Sequence, residues 1–274
     1  MLPEVYSPPR PHAGLATGSR FCTYLVSGFF YNLGRQIGKN AVPTLRKTKW
    51  IWQGLSGDEL EVLAAEESLG RTMARELRAI SAGSNDAVLA SELNAICQRL
   101  SACVRDNRRT FSCEILVGAE PSVTGLPGGY LFLTESMVDW CERQPEELAF
   151  LLGHEMAHIV RGHTWDRIIN DAALKVVAAV SMRAGQLGSW FRREGAELLR
   201  NAHTRDQEFQ ADAFGARLAA AAGYESNGAV SLLERVGRHL TEGVDPGVYF
   251  ASHPPLPERI ARLRKVISAG SPRA

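Results

Sequence analysis

Closely spaced cysteines are missing from this chain. The five present, Cys22, Cys97, Cys103, Cys113 and Cys141, are scattered, and no Cys-x-x-Cys pair occurs. An odd, dispersed set argues against a disulfide framework and against a thiolate metal site, so these thiols read as reduced packing residues. An excess of charge of either sign is missing too. Thirty-one Lys and Arg against 30 Asp and Glu leave a net charge of +1, so no overall field steers the protein to nucleic acid. Long apolar runs are also lacking. The run FCTYLVSGFFYNL, residues 21–33, is shorter than the roughly 20 apolar residues a spanning helix needs, and the stretch from Thr164 to Trp190 is broken by Lys175 and Arg183. No Ala-x-Ala cleavage site follows the first run, so neither a signal peptide nor a transmembrane helix is expected, and the location read from this is cytoplasmic. There is no internal repeat and no low-complexity tract.

What is present is enough apolar material, 45% of 274 residues, to bury a substantial core. Residues 1–55 read as an N-terminal arm, with a lead containing Pro3, Pro8, Pro9 and Pro11 before the apolar run. Arg20, Arg35 and Lys39 flank that run, which leaves two readings: an arm packed on the main domain, or a segment making peripheral contact with a membrane surface. The main domain is assigned to residues 56–270.

Ser56 and Glu59 fit a capping box, and Leu60, Leu63, Met73 and Leu77 repeat at helical spacing, predicting a helix over 57–80. Leu89, Leu93, Ile96 and Leu100 predict a second helix from about residue 86. SCEILVG and GGYLFLT read as strands separated by a turn-rich stretch holding Pro121, Gly125, Pro127 and Gly128. Pro145 suits the first position of another helix, whose positive end Glu146 and Glu147 favour.

That helix carries LAFLLGHEMAHIVRGH, residues 148–163. Residues i and i+4 share a helix face, so His154 and His158 can hold one metal ion. Glu155 lies about 100° further round, within reach of a water on that metal without being a ligand. This is the His-Glu-x-x-His arrangement of metalloproteases. A site of this type needs a third protein ligand and an open position. TRDQEFQADAFGARLAAAAG supplies Glu208, fifty residues after His158, on a helix expected to end near Gly223. Asp212, one turn later, is placed to accept a hydrogen bond from a ligand histidine. His163 falls about 140° round the helix from His158 and reads as a helix-end residue off the ligand face. His12, His203 and His239 read as exposed or structural.

GHEMAHIVRGH followed by EFQADAFG resembles the gluzincin-type zinc metallopeptidase family that includes HtpX, BepA and the CAAX prenyl proteases. LPGGYLFLTESMV, ELAFLLGHE and SHPPLPERIARL agree with it, and the resemblance spans roughly residues 112–264. The stretch PSVTGL departs from the Asn-Ala-Phe pattern of relatives, and the broken apolar stretch after the zinc helix matches soluble members. The resemblance implies a mainly helical zincin-like domain with a small β-sheet edging the cleft. It also implies one Zn2+ per chain on His154, His158 and Glu208, with Asp212 behind them and Glu155 as the base for hydrolysis of unfolded or extended polypeptide. The family contains quality-control proteases and maturation enzymes for lipidated proteins. His253 is implied near the zinc, either as a donor to the developing oxyanion or as a plug on the open position. Gly128, Gly129, Tyr130 and Leu131 are expected to present backbone groups to an extended substrate. The alternatives are a noncatalytic, zinc-plugged chaperone-like module and a zinc hydrolase of a nonpeptide amide.

Overall fold

Residues 59–106, 108–168, 203–242, 249–250 and 256–270 are described by the structure, a computed structural model. The arm over 1–55, the capping residue Ser56, His253 and most of the stretch after the zinc helix lie outside them.

Helix α1 spans Glu59–Ile80 and α2 spans Ala87–Cys103. On α2 the Asp86 carboxylate accepts from the Leu89 N–H (3.0 Å), satisfying one of the first-turn donors. Leu89, Leu93, Ile96 and Leu100 are all buried, as their spacing predicts. On α1 the expected stripe is displaced. Leu60 is 72% exposed, and the face that packs on the sheet runs through Leu69, Met73 and Leu77 to meet Leu116, Leu126 and Phe132.

Three strands, β1 (Ser112–Leu116), β2 (Val123–Leu126) and β3 (Tyr130–Thr134), form a sheet of order β1-β3-β2. β1 runs parallel to β3, with Ser112 opposite Tyr130; β2 runs antiparallel to it, with Val123 opposite Leu133. The first and third strands match the expectation. β2 falls in the stretch expected to be turns only, because Gly125 interrupts it and Pro121 and Pro127 bound its four residues. A 3-10 turn, Pro127–Gly129, links β2 to β3.

A short helix α3 (Glu135–Trp140), capped by Thr134, leads to α4 (Pro145–Val160), which begins at Pro145 as expected. Every residue of α4 from Glu147 to Ile159 is buried. A helix apolar all round belongs at the centre of a domain, and α4 lies between the sheet with α2 on one side and α5 (Arg205–Ala221) with α6 (Gly228–Thr241) on the other. Glu147, expected only to complement the helix dipole, is buried and paired with Arg235 of α6 at 2.5 and 2.9 Å. The last helix, α7 (Leu256–Gly270), packs on α5 and α6. The molecule is therefore mainly helical with one small sheet. Among the described residues no helix is long and apolar enough to cross a membrane.

The α4–α5 contact is close because glycine faces glycine. A Cβ built on Gly153 would lie 3.1 Å from the Gly215 carbonyl oxygen, and one on Gly215 only 2.8 Å from the His154 nitrogen. Gly215→Ala is accordingly expected to push the helices apart, to cost about 1–3 kcal/mol in urea unfolding, and to weaken metal retention. Wild-type values for both would show that the helices have slack there.

Candidate metal centre

The one-turn relation between His154 and His158 places both imidazoles on the side of α4 that meets α5. There the capping box of Thr204 and Gln207 starts α5 (Gln207 N–H to Thr204, 3.3 Å; Thr204 N–H to Gln207, 2.9 Å), and Glu208 sits in its first turn. The three side chains are buried. His154 Nε2 is 3.1 Å from His158 Nε2, and the two Glu208 oxygens are each 3.4 Å from one of these nitrogens. A tetrahedral ion with bonds of about 2.0–2.1 Å holds its ligand atoms about 3.3 Å apart. The observed separations fit such an ion, and among the described residues this is the one cluster that can hold a metal.

Behind the first ligand, His154 Nδ1 donates to Asp212 Oδ1 (3.0 Å), which in the neutral imidazole makes Nε2 the nitrogen that can bind a metal. Asp212 is in turn gripped by Arg259 of α7, Nε to Oδ2 at 2.8 Å and Nη2 to Oδ1 at 2.6 Å, with all three groups buried. Burial alone raises the Asp212 carboxyl, but the Arg259 guanidinium overrides it and holds the group well below the usual carboxylate range. Burial disfavours the His154 cation, yet Asp212 and Glu208 raise it to about 9 in the metal-free protein. Arg259 lies inside the stretch that carried the family resemblance, but no side-chain spacing indicated that it reaches Asp212 from another helix.

The second ligand is backed differently. His163 Nδ1 lies 3.2 Å from His158 Nδ1, and the ring of His203 stacks on that of His158 with centroids 3.7 Å apart. Burial and the neighbouring His158 lower His163 to about 4, so it is neutral near pH 7 and can accept a hydrogen bond from the Nδ1–H that His158 carries when its Nε2 binds a metal. His163 lies outside the cluster of His154, His158 and Glu208, but it is no mere helix end. The wheel angle failed because α4 stops at Arg161, and Gly162, at φ 76°, turns the chain back before His163 opens the helical segment over 163–168. His203 likewise belongs to the site rather than to the surface. His163→Ala is expected to weaken metal affinity by about 10-fold, at the low end of such supporting contacts. Competition with a chromophoric chelator measures this, and unchanged affinity would remove His163 from the support of His158.

Glu155 is 8% exposed. Its Oε2 accepts from the Gly125 N–H of β2 (2.9 Å), and its Oε1 accepts from the Tyr249 hydroxyl (3.0 Å). Side chains and amides alternate along a strand, so Gly125, opposite Leu131, turns its N–H away from β3 and toward α4. A Cβ at Gly125 would stand 3.0 Å from Glu155 Oε2, which is why that position is a glycine. Tyr249 carried no signal in the sequence.

Gly128, Gly129, Tyr130 and Leu131 do not line this edge. Tyr130 and Leu131 belong to the central strand, whose two sides are already taken by β1 and β2, and the Gly128 N–H donates to Glu66 of α1 (3.2 Å). The expectation assumed that β3 was the edge strand; the missed strand β2 holds that place.

Two histidines one turn apart on a central helix, a glutamate from a second helix and an intervening glutamate that is not a ligand define a metallopeptidase of the His-Glu-x-x-His class. The chain belongs to peptidase family M48, whose model matches residues 123–267. It is 32% identical over 161 residues to the mitochondrial metalloendopeptidase OMA1 of Schizosaccharomyces pombe, covering 57% of this chain and 46% of that protein. A putative beta-barrel assembly-enhancing protease of Vibrio cholerae is 25% identical over 193 residues, covering 66% of this chain and 40% of the relative. The metalloprotease YcaL of Escherichia coli is 28% identical over 169 residues, covering 54% and 66% respectively. The chain thus spans about half the length, or less, of the first two of these relatives.

Proposed function

We propose that this protein is a zinc-dependent endopeptidase that cuts unfolded or extended polypeptide, with a role in protein quality control. The observation that carries the reading is the buried cluster of His154, His158 and Glu208, whose imidazole nitrogens are 3.1 Å apart and each 3.4 Å from a different Glu208 oxygen, with Glu155 adjoining them on the same helix as the histidines. The chemistry of the donors, two imidazoles and one carboxylate, suits zinc, which when bound supplies a Lewis acid and a water acidified to a pKa of about 7. His154, His158 and Glu208 hold one ion per chain, and Asp212 and His163 fix the histidine tautomers.

Glu155 acts as the base. It takes a proton from the attacking water as the new C–O bond forms, and then delivers that proton to the amine nitrogen as the peptide C–N bond breaks. The substrate adds as a strand along the outer side of β2, where Val123 turns its backbone groups outward and Gly125 its carbonyl, the Gly125 N–H being taken by Glu155. An extended chain fits such an edge and a folded one does not. The unit is assigned to residues 56–270, with 1–55 as an arm that packs on it or touches a membrane surface, and His253 is retained as a group acting beside the zinc.

Unfolded casein and a peptide library, with products read by mass spectrometry, test the reading. Cleavage that a chelator abolishes and zinc restores is expected. Bound zinc without cut peptides would instead favour a binding module.

A further inference from the structure

Tyr249 stands outside the ligand set and its supports, yet its hydroxyl lies 3.0 Å from Glu155 Oε1. Its ring packs edge-on against Phe250, with centroids 5.0 Å apart at 80°, and Phe250 is itself part of the main core beside Trp140. The hydroxyl is therefore aimed from a rigid base. On the other oxygen of the same carboxylate, the Gly125 N–H is fixed by the sheet. An ionised carboxylate offers about four lone-pair positions. One donor on each oxygen occupies two of them, leaving a position on each oxygen for a water, and the two donors come from separate elements, β2 and the segment over 249–250.

We infer that Tyr249 is a positioning residue for Glu155, which together with the Gly125 N–H fixes the plane of the carboxylate that handles the proton. Rotation about the last Glu155 torsion is broad in the absence of such contacts. A base must meet its proton within hydrogen-bonding distance and in line, so a freely turning carboxylate spends less time in the productive geometry. The role runs through Glu155, the carboxylate that the Tyr249 hydroxyl meets, and the three residues of the metal cluster are His154, His158 and Glu208. Only the kinetic half of the test below rests on the endopeptidase reading.

Tyr249→Phe keeps the ring and removes only the hydroxyl. In the metal-free protein, urea unfolding of wild type, Tyr249→Phe, Glu155→Ala and the double variant forms a cycle. Non-additive midpoints are expected, the double variant losing less than the sum of the single changes; additive midpoints would overturn the contact. In the zinc-loaded protein, Tyr249→Phe is expected to lower kcat by about 10- to 100-fold with KM within about twofold of wild type and zinc content unchanged. A wild-type kcat, a change confined to KM, or loss of zinc would each overturn the positioning role. If the wild-type protein cuts no peptide, the endopeptidase reading fails and the stability cycle alone decides the contact.

Discussion

Glu155→Gln is expected to retain its metal and to lose about 10²- to 10⁴-fold of kcat/KM on any peptide the wild type cuts. The amide is nearly the same size, its oxygen can accept from the Gly125 N–H, and its NH2 can donate to the Tyr249 hydroxyl oxygen, so the packing of α4 around it is preserved. What it lacks is an oxygen basic enough to take the proton. A loss confined to kcat, with metal content unchanged, is the pattern expected for an interaction made only as the bond breaks. Kinetics on a single cleaved peptide, with metal measured on the same samples, decides it. Activity within tenfold of wild type would mean that another group is the base.

Arg259→Ala is expected to destabilise the metal-free protein by about 3–5 kcal/mol at pH 7, the cost of stripping one partner from a buried ion pair. The guanidinium makes both hydrogen bonds to Asp212 and stands 3.9 Å from Glu208, so its removal takes a buried positive charge away from two buried carboxylates. Bound metal supplies positive charge at the same place, and the gap in unfolding midpoint between metal-free and metal-loaded forms should therefore widen in the variant. Urea unfolding of both forms measures this. A variant as stable as wild type without metal would show that Arg259 is a solvated charge rather than the clamp of the ligand's support.

The parts of the fold legible from sequence are those governed by short-range periodicity. The stripe Leu89, Leu93, Ile96 and Leu100 sets α2 because four residues at i, i+4, i+7 and i+11 can only line one helix face. His154 and His158 are tied by the same rule. Glu208 and Asp212 were legible as a pair one turn apart, and only the helix packing at Gly153 and Gly215 shows that they meet the histidines. What failed was governed by distant contacts or by interrupted patterns. β2 is a four-residue strand carrying a glycine that its neighbour Glu155 requires, so its turn-like composition has a tertiary cause. With β2 missed, the free edge was placed on Gly128 to Leu131, one strand too far in. Leu60 fits the helical period yet faces solvent, since α1 turns its Met73 and Leu77 side to the sheet. Glu147 finds Arg235 across 88 residues, and Tyr249 finds Glu155 across 94, distances over which no local pattern runs.

Metal content of the purified protein after loading with zinc, measured by plasma mass spectrometry beside a Glu208→Gln variant, bears most directly on the centre formed by His154, His158 and Glu208. The expected result is one zinc per chain in the wild type and well below one in the variant, whose amide is a poorer ligand at the same position. A wild-type protein that takes up no zinc, or a Glu208→Gln variant that holds as much as the wild type, would contradict the site.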